Sequence, residues 1–142
     1  MNPSEIRDQL LQEHSRLRVL VCAAEHAAHR LLTGKGDLAP FRLALTELRG
    51  AFAGHNISEE ELLGPLLSDA DAWGPVRFRR MIEEHVGEHC AMRAALVGDE
   101  LDIAPRMADL AEQLLAHMDA EERTFLHPSV LRDDIITSGP TS

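Results

Sequence analysis

Histidine and glutamate recur in this chain at a spacing that an α-helix brings onto one side. Seven residues share the pattern: the H-x-x-x-E pairs His55/Glu59 and His117/Glu121, the H-x-x-x-H pair His85/His89, and the single His14. Residues four apart project from the same helix face on successive turns, so each pair can reach one point in space. Four helices that direct imidazole and carboxylate groups at a shared interior form a metal site, and the spacing predicts such a site here.

Apolar periodicity and helix-end signals predict four helices. Asn2 is a good N-cap, with Pro3 at the first helical position and Glu5 placed for a capping box. The predicted helices run from Pro3 to Gly34 and Gly36, from Asp37 to about Leu63 with a break at Gly64-Pro65, from near Pro75 to Gly98, and from a cap at Asp102 to residue 125 or 126. The sequence therefore predicts an all-α, antiparallel up-down-up-down four-helix bundle over residues 1–128 and a short, flexible tail over 129–142.

The charge balance argues against polyanionic partners. The formal net charge is −10, from 24 acidic against 14 basic residues, and no basic stripe is present. Neither nucleic acid nor an anionic membrane surface is expected to bind such a chain. We expect a cytoplasmic protein, because the N-terminal residues lack an apolar signal-peptide core and no apolar run has membrane-spanning length. Cys22 and Cys90 form no CxxC motif and are predicted to be reduced, buried thiols.

The composition of the predicted site narrows the choice of metal. It offers five imidazoles and two carboxylates. Structural zinc usually takes four ligands that include cysteine, calcium and magnesium prefer oxygen, and ferritin-like di-iron sites are mostly carboxylate. Two acids from separate helices can each bridge a metal pair, which leaves five imidazoles as terminal ligands split three and two. Two octahedral ions would then keep one position open to a small molecule. Such a site suits iron, and counting alone leaves zinc and manganese as alternatives.

The full pattern H…H-x-x-x-E…H-x-x-x-H…H-x-x-x-E, carried on residues 4–128, resembles the hemerythrin family and in particular its bacterial hemerythrin-like HHE cation-binding domains. The resemblance implies two non-haem iron ions with a bridging oxo or hydroxo group inside an up-down-up-down bundle. It further implies that Glu59 and Glu121 bridge the two irons. The remaining ligands would divide into His85, His89 and His117 on one iron and His14 and His55 on the other, where dioxygen binds.

The last motif departs from the family's classical oxygen carriers, in which an Asp five residues after the histidine is the second bridge. Here that position holds Glu122, and Glu121 lies at position four. Geometry favours Glu121, because i+4 is offset by about 40° around a helix and i+5 by about 140°. Glu122 would need a π-bulge. Glu122 is predicted to be a solvated residue, as are Glu60 and Glu61.

The sequence leaves several roles open. Glu13 and Glu84 each precede a histidine and are predicted to face water, the alternative being a hydrogen bond to an imidazole. Arg18, one turn after His14, is a hypothetical source of positive charge near the open iron. His26, His29 and His127 have no acidic or histidine partner four residues on and are predicted to be ordinary surface or core residues.

Three functions compete on these residues. The first is a protein that binds dioxygen for carriage, storage or sensing. The second is an enzyme in which the same centre acts on hydrogen peroxide, nitric oxide or ferrous iron. The third is an iron-responsive interaction module whose bundle tightens when metal binds. The expected partner is a small molecule, dioxygen or peroxide, and the sequence does not indicate a protein partner.

Overall fold

The computed structural model describes residues 1–69, 75–124, 126–128 and 131, and the regular secondary structure within them is entirely helical. The helices are α1 (Pro3–Leu32), α2 (Leu38–Asp69), α3 (Pro75–Ala95), α4 (Glu100–Ile103) and α5 (Met107–Arg123), with a 3-10 turn at Ala104–Arg106 between the last two. The predicted flexible tail at 129–142 lies outside the described residues, apart from Leu131.

The predicted ends of α1 are confirmed. The Asn2 side chain accepts a hydrogen bond from the Glu5 backbone amide at 2.9 Å, and the Glu5 carboxylate accepts one from the Asn2 amide at 3.0 Å. This capping box satisfies backbone donors that have no partner within the helix. At the other end Gly34 has a φ of +72°, a conformation that glycine adopts without steric cost. The chain therefore leaves α1 where the glycine signal predicts.

The predicted break in α2 at Gly64-Pro65 is wrong, because α2 continues through Pro65 to Asp69. A proline inside a helix removes one backbone hydrogen bond and costs about 3 kcal/mol. Leu63, next to the break signal, is 3% exposed and packs with Leu10 and Leu126. Burying such a side chain contributes about 1.5–3 kcal/mol. Tertiary packing of this size can offset the local cost of the proline. The helix-end signals in the sequence contain no information about that packing.

The predicted start of the fourth helix at Asp102 is also wrong. Asp99 is the N-cap, and its side chain accepts a hydrogen bond from the Leu101 amide at 3.0 Å. Asp102 lies inside α4, and the chain passes through Pro105 as a 3-10 turn before α5 begins. Proline lacks the amide donor that an uninterrupted α-helix would use there. The predicted end at residue 125 or 126 is late by two or three residues, because α5 ends at Arg123.

The four long helices contact one another in a closed order: α1 with α2 and α5, and α3 with α2 and α5. Two apolar clusters fill the space between them. The larger one gathers most of the core, and the smaller one consists of Ile6, Leu10, Leu63, Leu126 and Leu131. Along α1 and along α2, the buried polar residues lie between residues of the smaller cluster and residues of the larger cluster. On α1, for example, His14 lies between Leu10 of the smaller cluster and Leu17 of the larger one. The site is thus a polar layer enclosed by apolar side chains on both sides.

The membrane and cysteine predictions have different outcomes. Among the described residues, no helix has both the length and the apolar character needed to span a membrane. Cys22 and Cys90 are free, but both are exposed, so their predicted burial is wrong.

Candidate metal centre

The structure brings all seven predicted site residues into two adjoining groups that share Glu121. The two-histidine group consists of His14, His55, Glu59 and Glu121, and the three-histidine group consists of His85, His89, His117 and Glu121. Within each group one nitrogen or oxygen atom per residue lies within 4.8 Å of all the others. Such clustering in a buried interior is what one cation per group would require.

The inner atoms of the two-histidine group are the Nε2 nitrogens and the carboxylate oxygens. The Nε2 atoms of His14 and His55 are 3.1 Å apart, and His55 Nε2 lies 2.8 Å from Glu59 Oε2. His14 Nε2 lies 3.8 Å from an oxygen of Glu59 and 3.8 Å from an oxygen of Glu121. His14 is 0% and Glu59 1% exposed. These atoms therefore face one another out of contact with water.

The three-histidine group approaches the same two carboxylates from the other side. His117 Nε2 lies 2.6 Å from Glu121 Oε1, and His85 Nε2 lies 3.7 Å from Glu121 Oε2. His85 Nε2 also contacts Glu59 Oε1, from which His89 Nε2 is 3.7 Å away. Both Glu59 and Glu121 thus present oxygens to histidines of both groups. This is the arrangement that two bridging carboxylates need.

Several inner atoms have no hydrogen-bond partner in the described part of the chain, although they are fully buried. They are Nε2 of His89 and of His117, Oε2 of Glu59 and both carboxylate oxygens of Glu121. The short contacts to His55 and His117 bring these atoms close without the geometry of a hydrogen bond. Each buried polar atom left unsatisfied costs about 1–3 kcal/mol. A cation coordinated by the lone pairs would remove that cost, so the residues fit a metal.

The charges in the layer are coupled. Burial alone would raise the pKa of Glu59, but the neighbouring His14, His55 and His85 hold the pKa of that carboxyl far below its usual range. Burial alone would lower the pKa of His55 and of His85, but the Glu59 carboxylate raises both above the ordinary value. Without metal, the ionised Glu59 carboxylate and the protonated forms of His55 and His85 therefore stabilise one another. A cation would displace those protons on binding.

Within the described part of the chain, His14, His55, His89 and His117 also have their outer nitrogen, Nδ1, against a glutamate on a neighbouring helix. We call these acids the outer glutamates: Glu13 at 2.7 Å from His55, Glu60 at 3.4 Å from His89, Glu88 at 3.0 Å from His117 and Glu122 at 2.9 Å from His14. The contacts run from α1 to α2, from α2 to α3, from α3 to α5 and from α5 back to α1. A carboxylate that accepts the Nδ1 proton fixes the tautomer in which the Nε2 lone pair points inward.

The outer glutamates revise several predictions. Glu13 makes the imidazole contact that was the alternative to facing water, and Glu84 is exposed, as predicted. The solvated role predicted for Glu60 and Glu122 holds only in part, because both are partly exposed but each also contacts a site imidazole, and Glu88 was missed. A partial signal exists, because each outer glutamate is adjacent in sequence to a site residue. Neighbours in a helix lie about 100° apart, so an acid beside an inward-facing residue either lies at a helix interface, as these four do, or faces water, as Glu84 beside His85 does.

The structure also separates the two acids of the last motif and places Arg18. Glu121 lies in the shared layer, whereas Glu122 lies behind His14. Arg18 Nη2 contacts Glu122 Oε2 at 2.5 Å and Asp119 Oδ1 at 3.0 Å. Its charge therefore lies behind the His14 imidazole, and the hypothesis that Arg18 supplies positive charge near the open iron stays a prediction.

The three remaining histidines, His26, His29 and His127, are exposed and lie outside both groups. This placement agrees with their predicted role as surface residues. His26 and His29 lie on α1, as His14 does, and are therefore matched controls for the histidines of the site.

A buried, histidine-rich cluster held among helices defines this chain as a helical metal-binding domain. Comparison with family models gives the same class independently: the model of the hemerythrin HHE cation-binding domain matches residues 5–127. The chain belongs to this family, which confirms the resemblance seen in the sequence. Searches of curated proteins and of solved structures found no match.

Proposed function

We propose that this protein holds two iron ions in the layer between its apolar clusters and binds dioxygen there, for carriage, storage or sensing. The observation that carries the proposal is the pair of adjoining groups that share Glu121, with buried inner atoms that lack hydrogen-bond partners. When bound, the two irons would supply the electrons that reversible dioxygen binding requires. Family membership supports cation binding, and the donor set favours iron.

The residues divide the work in the following way. His85, His89 and His117 would hold one ion, and His14 and His55 the other. Glu59 and Glu121 would hold both, because their carboxylates contact histidines of each group. The group with two imidazoles has one donor fewer, so that is where a small ligand would find room.

The apolar clusters keep this layer dry. Phe52 lies against the site, with its ring centroid 6.1 Å from that of His89. Leu17, Leu114 and Met118 line the same side within the larger cluster, and each is at most 3% exposed. Excluding water strengthens the electrostatic contacts in the layer and slows hydrolytic loss of a bound ligand.

We propose in addition that the bundle is antiparallel, up-down-up-down. The smaller apolar cluster supports this arrangement. Leu10 precedes the site residue of α1, whereas Leu63 and Leu126 follow the last site residues of α2 and of α5. The side of the metal layer that faces the N-terminal end of α1 therefore faces the C-terminal ends of α2 and α5.

We also propose a cytoplasmic location and a small-molecule partner. Two free, exposed thiols are typical of a reducing compartment. A net charge of −10 disfavours polyanions such as nucleic acid and anionic membrane surfaces.

The test is to record absorption spectra of the iron-loaded protein after reduction, after exposure to air and after addition of hydrogen peroxide or nitric oxide. A stable coloured form that returns to the reduced spectrum when oxygen is removed supports the proposal. Rapid gas evolution from peroxide, or consumption of nitric oxide, would instead support the enzyme. His14→Ala should abolish the air-induced spectrum, and His26→Ala, an exposed histidine on the same helix, should leave it unchanged.

A further inference from the structure

Asn56 is a fully buried polar residue that belongs to neither histidine group. It follows His55 directly on α2 and is 0% exposed. Neither its Oδ1 nor its Nδ2 has a hydrogen-bond partner among the residues that the structure describes. It is the only uncharged polar residue that the structure describes as buried in this way.

The position of Asn56 directs its side chain inward. Phe52 lies one turn before it, Glu59 three residues after it and Leu63 two turns after it on the same helix face, and all three are at most 3% exposed. Phe52 belongs to the larger apolar cluster, and Glu59 belongs to the metal layer. The carboxamide of Asn56 therefore lies at the border between the metal layer and the larger cluster.

A carboxamide in this position is unfavourable unless something polar reaches it. It carries two N–H donors and an acceptor oxygen, and leaving them unpaired in an apolar interior is costly. A leucine of similar size would fill the same space without that cost. Buried polar groups in proteins pair with the protein, with ordered water or with a ligand. The described residues supply no partner for Asn56, which leaves a small molecule in the interior, either water or a ligand.

We infer that Asn56 binds the small ligand of this site. Its Nδ2–H donates a hydrogen bond to a ligand that carries negative charge or gains it on binding, held near Glu59, whose carboxylate belongs to the two-histidine group. The inference rests on the proposed function, in which that group is the one with room for a ligand. Asn56 then favours ligands that accept a hydrogen bond over equally small apolar ones.

The experiment compares Asn56→Leu with the unmodified protein, both loaded with iron, by titration with azide as a small anionic probe. The variant should retain its iron content and bind azide about tenfold to a hundredfold more weakly, the usual effect of losing one hydrogen bond to a charged group. Leu48→Val, a conservative change two turns away in the same core, should leave azide affinity within about twofold. Equal azide affinity in Asn56→Leu would overturn the inference.

Two further readouts do not depend on iron chemistry. Metal-free Asn56→Leu should unfold at a higher temperature than the metal-free unmodified protein, because an unpaired buried amide has been replaced by an apolar group. In the zinc-loaded, 15N-labelled protein, azide should shift the side-chain amide resonance of Asn56, and an unmoved resonance would argue that the amide meets only water. An unmodified protein that binds no iron would instead refute the proposed function, and the inference with it.

Discussion

The outer glutamates that contact the two histidine groups differ in their exposure and in their distance from the imidazoles. The outer glutamates of the two-histidine group, Glu13 and Glu122, have side-chain exposures of 27% and 29% and lie 2.7 and 2.9 Å from their imidazoles. Those of the three-histidine group, Glu60 and Glu88, have exposures of 36% and 62% and lie at 3.4 and 3.0 Å. The group with fewer imidazoles therefore has the shorter and more shielded outer contacts.

The two groups would therefore hold a cation in different ways. Hydrogen bonds to a carboxylate are stronger where solvent is excluded, so Glu13 and Glu122 should orient their histidines more firmly. The three-histidine group can rely on the number of its donors instead. Arg18 adds to the contrast, because it contacts the Glu122 carboxylate and limits its freedom to move.

Glu59→Ala should have the largest effect among the variants compared here, because it removes one of the two carboxylates that contact both groups. We expect iron affinity at both positions to fall by more than about 100-fold, since loss of an outer contact alone costs about 10- to 100-fold. Competition with a chelator of known affinity, together with an iron count, measures this. Glu61→Ala, an exposed neighbour on α2, is the control. If Glu59→Ala kept two tightly bound irons, Glu59 would not be a bridge.

Single histidine deletions should separate the two groups. His14→Ala leaves one imidazole in its group, and we expect it to retain about one iron per chain. His117→Ala leaves two imidazoles in its group, and we expect it to bind a second iron with reduced affinity. The measurement is iron content at increasing chelator concentration, with His29→Ala as an exposed control on α1. Identical loss curves for the two variants would remove the distinction between the groups.

Outer glutamates should have smaller effects that follow their exposure. Glu122→Gln preserves the side-chain shape but removes the charge behind His14, so iron affinity in that group should fall by about 10- to 100-fold. Glu88→Gln changes a side chain that is 62% exposed, so iron affinity should fall by less than about tenfold. Chelator competition on the two variants gives the comparison directly. A larger loss in Glu88→Gln would reverse the order that we infer from burial.

The stability of the metal-free protein should depend on pH in a way that metal reverses. The pKa values of His55 and His85 are raised above the ordinary 6.5, so their stabilisation is complete below pH 6.5 and is lost as pH rises through the folded pKa. The pKa of Glu59 is lowered from 4.5, so its stabilisation is present above pH 4.5 and is lost as pH falls. Metal-free stability should therefore peak between these values.

Thermal unfolding from pH 4 to pH 8, with and without iron, tests this dependence. Because iron competes with protons for the imidazoles, the stabilisation that iron adds should increase with pH. Metal-free stability that increased steadily from pH 6 to pH 8 would contradict the assigned pairing of Glu59 with His55 and His85.

Much of the site could be predicted from the sequence, because i and i+4 spacing is a property of a single helix. Six of the seven site residues follow from that spacing, whereas His14 has no histidine or acid four residues away, and the structure brings all seven together. The outer glutamates could not be predicted in the same way. Whether Glu60 or Glu122 meets solvent or an imidazole depends on how each helix is rotated against its neighbour. That rotation is set by packing across the whole core.

The helix boundaries show the same division. The capping box at Asn2 and the end of α1 near Gly34 depend on a few adjacent residues and were predicted. The continuation of α2 through Pro65 depends on the packing of distant leucines, which local signals do not contain. Asp99 is the cap because it directly precedes α4. Asp102 lies inside α4, and the 3-10 turn at Pro105 separates it from the start of α5.

The most direct test of the metal site is an iron count on the purified, reconstituted protein by elemental analysis, set against protein concentration from amino-acid analysis. The two adjoining groups predict two irons per chain that survive gel filtration. A double variant, His14→Ala with His85→Ala, should bind less than one. An unmodified chain that retains no iron, or a double variant that retains two, would contradict the account.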